Sequence, residues 1–89
     1  MLGANSLAET MKEVKLYTRS LCGWCIEAKN YLRAHGIRFE EIDVGKDPVA
    51  QKEMERISGQ HYVPTLVVDG RVLADFDVGK LKRFLAKIR

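Results

Sequence analysis

Residues 14–25 read VKLYTRSLCGWC, a short strand-forming run that leads into a pair of cysteines. Val14 to Thr18 alternates between two faces and is rich in residues that favour β-structure, so it predicts the first strand. From Trp24 to Ala34 the residues are good helix formers with apolar positions along one face, and a glycine follows as a C-terminal stop. The cysteines, Cys22 and Cys25, are therefore expected where a strand ends and a helix begins.

The rest of the chain alternates between strand and helix patterns. Asp47 is expected to cap a second helix, and Asp69-Gly70 is typical of a type I′ hairpin turn. The order β-α-β-α-β-β-α predicts an α/β fold with a four-stranded mixed sheet flanked by helices, in which a right-handed crossover joins two parallel strands and the hairpin is antiparallel. Beyond the first strand and helix, the predicted elements are a strand over Ile37 to Val44, a helix over Pro48 to about Ile57, strands over Thr65 to Val68 and Arg71 to Ala74, and a helix over Val78 to Ile88.

Length and composition limit the architecture and the class of protein. The chain has 89 residues, of which 46% are hydrophobic and 30% charged, as expected for one compact domain rather than a disordered chain. We expect residues 1–89 to form this domain, with residues 1–13 as an N-terminal extension or a short helix. The net charge of +3 comes from scattered basic residues, so it does not predict nucleic-acid binding.

No segment has the pattern of a membrane span or a targeting signal. The longest apolar candidate, Val63 to Val68, is short and is interrupted by proline and threonine. Residues 1–13 lack the basic start and continuous apolar stretch of a signal peptide. We therefore expect a cytoplasmic protein without membrane contact. In that compartment lasting disulfides are rare, and a close cysteine pair does chemistry or binds metal.

The position of the cysteine pair favours a reactive thiol. Cys22 is expected beside unpaired backbone amides at the positive end of the helix dipole, and both features stabilise a thiolate over a thiol. Arg19 and Lys29 are expected to add positive potential. Cys22 is therefore the predicted nucleophile, and Cys25, on the buried helix face, is the predicted resolving thiol.

Two other uses of the pair are less favoured by the residues. A structural disulfide across so short a loop stabilises a fold little, and a reducing compartment keeps it open. A closed zinc site needs four ligands, and besides the cysteines the chain offers only His35 and His61, whose spacing matches no familiar zinc finger. We interpret these histidines as a helix-end residue and a loop residue.

Tyr62-Val63-Pro64-Thr65 directly precedes an apolar strand. If the bond before Pro64 is cis, the backbone groups of Val63 face outward and can pair with an extended substrate. The alternative is an ordinary turn with a trans bond, which general statistics favour.

Residues 16–25 read LYTRSLCGWC and, with the helix residues that follow, resemble the strand, active site and first helix of glutaredoxins, a family of the thioredoxin superfamily. Val63-Pro64-Thr65 and residues 67–70 resemble the family's cis-proline loop and hairpin. The resemblance implies a thioredoxin-like fold in which Cys22 attacks disulfides, Cys25 resolves them and the Val63 backbone pairs with peptide or glutathione. The other residues that it implies for substrate or glutathione binding are Arg19, Trp24, Tyr62, Pro64 and Asp77.

Two segments depart from the family pattern. Many dithiol glutaredoxins have Pro-Tyr between the cysteines, where this chain has Gly23-Trp24. The family's glycine pair and acidic pair, which hold the γ-glutamyl end of glutathione, are represented by residues 74–78, ADFDV, which lack the two glycines and the second acid. Asp77 is expected to cap the last helix and to offer an acidic contact.

The expected function is that of a monomeric thiol-disulfide oxidoreductase. Its substrates are disulfide-bonded or glutathionylated proteins, and its electrons come from glutathione or from a thioredoxin-reductase-type flavoenzyme. No bound metal is expected. The alternative is a [2Fe-2S] cluster held between two subunits by the first cysteine and glutathione, as in some glutaredoxins with a small residue in place of the active-site proline, here Gly23.

Overall fold

The computed structural model describes residues 11–88, and its elements follow the predicted order. Residues 1–10 of the N-terminal extension expected over residues 1–13 lie outside the described part of the chain. The strands are β1 (Val14–Thr18), β2 (Glu40–Asp43), β3 (Thr65–Val68) and β4 (Arg71–Ala74). The helices are α1 (Gly23–Ala34), α2 (Pro48–Ser58) and α3 (Val78–Lys87).

The four strands form one mixed sheet in the order β2-β1-β3-β4. β1 is parallel to β2 and antiparallel to β3, and β3 is antiparallel to β4. Tyr17 in β1 is level with Ile42 in β2 and with Thr65 in β3. β1 and β2 therefore end, and β3 begins, at the same end of the sheet, which we call the cysteine end. The predicted α/β fold with a mixed sheet is confirmed.

β2 is shorter than the strand predicted over Ile37 to Val44. Its parallel register pairs Lys15, the second residue of β1, with Glu40. Most of the residues before Glu40 therefore lie beyond the start of β1 and have no strand beside them to pair with. Ile37 is nevertheless buried, and its amide donates to the carbonyl of Leu32 at 2.9 Å. The apolar periodicity of this segment therefore reflects packing against α1 as well as strand pairing.

Two apolar clusters lie on opposite faces of the sheet, as predicted for helices on both sides. One cluster joins Leu16 and Leu66 of the sheet to residues of α1 and α3, including Leu32 and Leu81. The other packs Tyr17 and Val67 against Ala50 and Met54 of α2. No helix within residues 11–88 combines the length and the apolar character needed to cross a membrane.

The turns and caps are formed by the residues that the sequence indicates. Asp69 and Gly70 have φ values of 48° and 88°, the positive values that a type I′ turn requires. The Asp69 carboxylate also accepts hydrogen bonds from the amides of Lys12 and Glu13, at 3.1 and 2.7 Å, and so fixes the chain that enters β1. Asp47 caps α2, as predicted, by accepting from two amides of its first turn.

Candidate active site

The two cysteines lie at the N-terminus of α1, directly after β1. Cys22 is the N-cap residue and is joined to Cys25 by a disulfide bond, with Cα atoms 5.2 Å apart. Cys22 is half-buried, whereas Cys25 is only 1% exposed. An incoming sulfur atom therefore has access to Cys22 and is screened from Cys25 by the fold.

The backbone around Cys22 favours negative charge on its sulfur. The amide of Cys25 donates a hydrogen bond to the Cys22 Sγ at 3.1 Å, and the first turn of α1 carries no acidic side chain. When the disulfide is reduced, the same amide and the positive end of the helix dipole stabilise a thiolate at this position. The local geometry thus has the electrostatics that the sequence predicted from a strand-helix junction.

The proline loop lies beside the loop that carries Cys22. Pro64 is buried and directly precedes β3 at the cysteine end, and its bond to Val63 is cis, which resolves the alternative that the sequence left open. The guanidinium of Arg19 donates to the backbone carbonyl of His61 at 3.4 Å and so joins the two loops. The loop that carries Cys22 and the proline loop are therefore neighbours at the cysteine end.

A small hydrogen-bond network shapes the proline loop around Val63. The side chain of Gln60 accepts from the amide of Tyr62 at 2.7 Å, and the hydroxyl of Thr65 donates to the Tyr62 carbonyl at 2.8 Å. The carbonyl of Pro64 accepts from the amide of Asp75 at 3.0 Å. Within residues 11–88 no hydrogen bond uses the amide or carbonyl of Val63 itself. Both neighbours of Val63 are thus fixed by the fold, while its own backbone groups are left to solvent or to a ligand.

Arg19 has two partners that place it at the side of the cysteine loop. Besides the carbonyl of His61, its guanidinium donates to the side-chain oxygen of Gln51, in the first turn of α2. Arg19 therefore ties α2 to the proline loop. No local pattern indicates Gln51, because its role depends on a tertiary contact between residues 32 positions apart.

Lys29 was expected to add positive potential near Cys22, and the structure places its ammonium against a carboxylate instead. Its Nζ lies 3.1 Å from the Oε2 of Glu41, and the same oxygen accepts from the buried hydroxyl of Thr18 at 2.9 Å. The hydrogen bond from Lys29, helped by that from Thr18, holds the pKa of Glu41 below its ordinary value of 4.5. The charge of Lys29 is therefore compensated within the fold.

The ion pair between Lys29 and Glu41 predicts that Glu41→Gln changes the free energy of unfolding in a pH-dependent way. Because the pKa of Glu41 is lowered in the folded protein, its carboxylate stabilises the fold above pH 4.5, and this contribution is lost as the pH falls through the lower folded value. The variant should be less stable than the wild type at pH 7, and the difference should shrink below pH 4.5. Urea denaturation at pH 7 and pH 3.5 measures it. A difference that stays constant with pH contradicts the prediction. Glu27→Gln, at an exposed position of α1, is the matched control.

Comparison with known proteins gives the family. Residues 14–73 match the family model described as Glutaredoxin. The chain belongs to the glutaredoxin family. A glutaredoxin-like 8.6 kDa protein encoded in the rubredoxin operon of Clostridium pasteurianum is 30% identical over 74 residues, 83% of this chain and 99% of that protein. The family and the Cys22–Cys25 pair together support thiol-disulfide redox function.

Two solved structures are also similar to this glutaredoxin. The thioredoxin-like protein BC3987 superposes with a TM-score of 0.74 at 32% identity, over 80% of this chain and 97% of that one. NrdH-redoxin from Escherichia coli, a glutaredoxin-like protein with a thioredoxin-like activity profile, superposes with a TM-score of 0.68 at 26% identity, over 81% of this chain and 93% of that one. These similarities confirm the thioredoxin-like fold that the sequence implied.

The segment that departs from the glutaredoxin pattern is used structurally. Asp77 is the N-cap of α3 and accepts from the amide of Lys80 at 2.9 Å, a bond that lowers the pKa of the Asp77 carboxyl. The capping role predicted for Asp77 is therefore observed. Its predicted contact with glutathione stays a prediction.

The described part of this glutaredoxin offers few side chains that could bind a metal ion together. Residues 11–88 contain no group of three or more His, Cys, Asp or Glu side chains placed to hold an ion. A [2Fe-2S] cluster needs four ligands, and the surface of this chain offers one cysteine, Cys22, with Cys25 buried behind it. A cluster at this position would therefore take most of its ligands from other molecules.

Proposed function

We propose that this glutaredoxin reduces disulfides in proteins, including mixed disulfides with glutathione, by dithiol exchange through Cys22 and Cys25. The observation that carries the proposal is the bonded pair of one accessible and one buried cysteine at a helix N-terminus beside the proline loop. The chain acts as one domain and as a monomer, in a reducing compartment such as the cytoplasm.

The first step forms a bond between enzyme and substrate. The thiolate of reduced Cys22 attacks one sulfur of the substrate disulfide, so that a Cys22–substrate disulfide forms and the other substrate sulfur leaves as a thiolate, which takes a proton from solvent. The amide of Cys25 and the N-terminus of α1 stabilise the attacking anion. The half-buried position of Cys22 keeps its sulfur accessible.

The second step releases the substrate. Cys25 gives its proton to solvent and attacks the Sγ of Cys22, which forms the intramolecular disulfide and expels the remaining substrate thiolate, which is then protonated. The substrate has then gained two electrons from the enzyme and two protons from solvent. The enzyme has returned the Cys25 proton to solvent, and the Cys22 proton went to solvent when the thiolate formed. Burial of Cys25 one helical turn behind Cys22 supports this role, because it hides the thiol from solvent disulfides and holds it beside its target.

The proline loop supports binding of an extended chain. Within residues 11–88 the amide and carbonyl of Val63 have no hydrogen-bond partner. They offer one donor and one acceptor at the cysteine end, which suits pairing with a peptide backbone or with glutathione. Trp24 and Tyr62, 58% and 55% exposed, border the same region. Arg19 contributes by joining the proline loop to α2.

Two electron donors fit the resulting disulfide. Glutathione is the reductant implied by the family. A thioredoxin-reductase-type flavoenzyme is the second candidate, favoured by the engagement of Asp77 in the α3 cap and by the thioredoxin-like activity profile described for NrdH-redoxin. The redox chemistry at Cys22 and Cys25 is the same for both donors.

Turnover of a glutathionylated peptide tests the proposal and identifies the donor. The oxidised protein and the peptide are mixed with either glutathione and glutathione reductase or a thioredoxin-type reductase, and NADPH oxidation is followed. We expect catalytic turnover with at least one donor. Absence of turnover with both donors, under conditions in which a control glutaredoxin is active, contradicts the proposed function.

A further inference from the structure

A hollow of about 560 Å³ lies between the end of α1 and the outer strand β2. We call it the arginine hollow. Its volume is in the range of ligand-binding sites. Within residues 11–88 no strand pairs with the outer side of β2, so the hollow lies beside an open sheet edge. The residues that line it are Arg33, Gly36, Ile37, Arg38, Phe39 and Glu41.

The two arginines of the hollow have hydrogen-bond donors that the fold does not use. In the described part of the chain, Arg19 and Arg56 are the only arginines with a side-chain hydrogen bond or an ion pair. The guanidinium of Arg33 lies over the ring of Phe39, 5.4 Å from the ring centroid. This contact covers one face of the guanidinium and leaves its N–H groups to a carboxylate or a phosphate. The side chains of Arg33 and Arg38 are therefore available to an anion.

The one acidic residue that lines the arginine hollow does not neutralise these guanidiniums. The Oε2 of Glu41 accepts from the ammonium of Lys29 at 3.1 Å and from the hydroxyl of Thr18 at 2.9 Å. Arg33 is the weakest of the influences that lower the pKa of Glu41, and the hydrogen bond from Lys29 is the strongest. The charge of Glu41 is thus compensated by Lys29, and the hollow keeps the positive charge of its arginines.

The helices α1 and α3, which pack on one face of the sheet, add to this positive charge. Together they carry six lysine or arginine residues and one glutamate, a net charge of +5, whereas the whole chain carries +3. The remainder of the sequence is therefore net negative. Lys82 of α3 lies over the ring of Tyr31, with its Nζ 5.9 Å from the ring centroid, two residues before Arg33. The excess charge is concentrated on the helices beside the hollow, which favours the approach of an acidic partner.

A peptide suits this surface better than a nucleic acid. The open side of β2 can form backbone hydrogen bonds with an extended chain, which a nucleic acid does not offer. Phe39 is half-buried and has one ring face under the guanidinium of Arg33, so it is a poor platform for stacking a base.

We propose that the arginine hollow binds an acidic, extended segment of the protein substrate. This inference rests on the proposed exchange at Cys22. Arg33 follows Cys22 by eleven residues, which is about 16 Å along α1 at the rise of an α-helix. An extended chain covers this distance with about five residues. The favoured substrates are therefore proteins whose carboxylates stand about five or more positions from the reactive cysteine, so that both sites are occupied together.

Binding to the oxidised protein tests the hollow apart from the redox step. The probe is a short cysteine-free peptide of alternating glutamate and serine with capped ends, and its control has glutamine in place of glutamate. Amide signals of the protein are followed by NMR during the titration. We expect saturable shifts at residues 33–41 with the acidic peptide alone, and their loss at high salt. Absence of these shifts overturns the inference. So does a short oligothymidine that shifts the same signals at lower concentration, because the hollow is then a nucleic-acid site.

Reduction of matched peptides tests the distance. Each peptide has one cysteine in a mixed disulfide with glutathione, a Gly/Ser spacer and three glutamates. The glutamates stand about six to eight positions from the cysteine in one peptide and directly beside it in the other. A second pair carries them on the other side of the cysteine. Each rate with reduced protein is divided by the rate with dithiothreitol, which removes differences in intrinsic reactivity. In at least one pair, the peptide with distant glutamates should be reduced about fivefold faster.

Paired variants assign this gain to the arginine hollow. Arg33→Gln/Arg38→Gln should remove the gain and leave the rate with the adjacent-glutamate peptide within about twofold of the wild type. Arg56→Gln/Arg71→Gln is the matched control, because it removes the same charge from exposed positions of α2 and β4. This control should retain the gain.

The outcomes separate this inference from the proposed function. If the wild type reduces none of the peptides, the proposed exchange itself fails. If it reduces the two members of each pair at equal corrected rates, the exchange stands and the inference is overturned. A gain that persists in Arg33→Gln/Arg38→Gln, or that falls equally in the control variant, shows attraction by net charge alone and also overturns the inference.

Discussion

Replacing Cys22 by serine is expected to lower the rate of disulfide reduction by about 10³-fold or more. A serine hydroxyl is not ionised at neutral pH, so neither the amide of Cys25 nor the helix dipole has an anion to stabilise at this position. The position is half-buried and caps α1, and serine is a good N-cap residue, so the fold should be kept. The second-order rate constant with a small disulfide, at equal protein concentration, measures the effect.

Cys25→Ser is the matched control, because it removes the other sulfur of the same bond. This variant should still attack the disulfide, but the mixed disulfide at Cys22 should accumulate, since the thiol that resolves it is absent. Mass spectrometry of the quenched reaction detects the adduct. If the adduct forms in Cys22→Ser and not in Cys25→Ser, the two roles are reversed and the mechanism is wrong.

Leu66→Ala is expected to give the largest loss of stability among the predictions. Leu66 lies on the inner strand β3, is 0% exposed and belongs to the cluster between the sheet, α1 and α3. Removing its side chain leaves a cavity that rigid strands on both sides cannot close. The free energy of unfolding should fall by about 3 kcal/mol and the thermal midpoint by about 15 °C. Urea denaturation and calorimetry measure the two quantities.

Leu73→Ala gives a matched comparison within the same pair of strands. Leu73 lies directly opposite Leu66 in the register of β3 and β4, but it is only partly buried at the edge of the sheet. Leu73→Ala should lower the free energy of unfolding by about half as much as Leu66→Ala, because the side chain of Leu73 buries less apolar surface. Equal losses for the two variants would show that the cluster is not centred on β3.

The helices, strands and turns, and the reactive cysteine pair, were predictable where a short stretch of sequence determines the structure. The hairpin around Asp69-Gly70 follows from the positive φ values that this dipeptide tolerates, and the cap of α2 follows from the hydrogen-bonding capacity of Asp47. The cysteine pair was predictable because its position between a strand and a helix is a local property. Each of these features depends on a few consecutive residues.

Other features depend on distances between segments, and no local pattern contains them. The length of β2 is set by where β1 begins, and the pairing of Lys29 with Glu41 is set by the packing of α1 against β2. The contact between Arg19 and Gln51 arises in the same way. The full exposure of Leu21, whose φ is 60°, likewise depends on the path of the cysteine loop.

The attachment of the chain entering β1 to the Asp69 turn has a practical consequence. The hydrogen bonds from two backbone amides to the Asp69 carboxylate hold residues 12 and 13 at the hairpin, at the end of the sheet opposite Cys22. A dye or a resin attached through the exposed side chain of Lys12 is therefore held at the end of the sheet opposite the cysteines. Immobilised in this orientation, the molecules should present their reactive sulfur outward, which suits capture of mixed-disulfide complexes on a solid support.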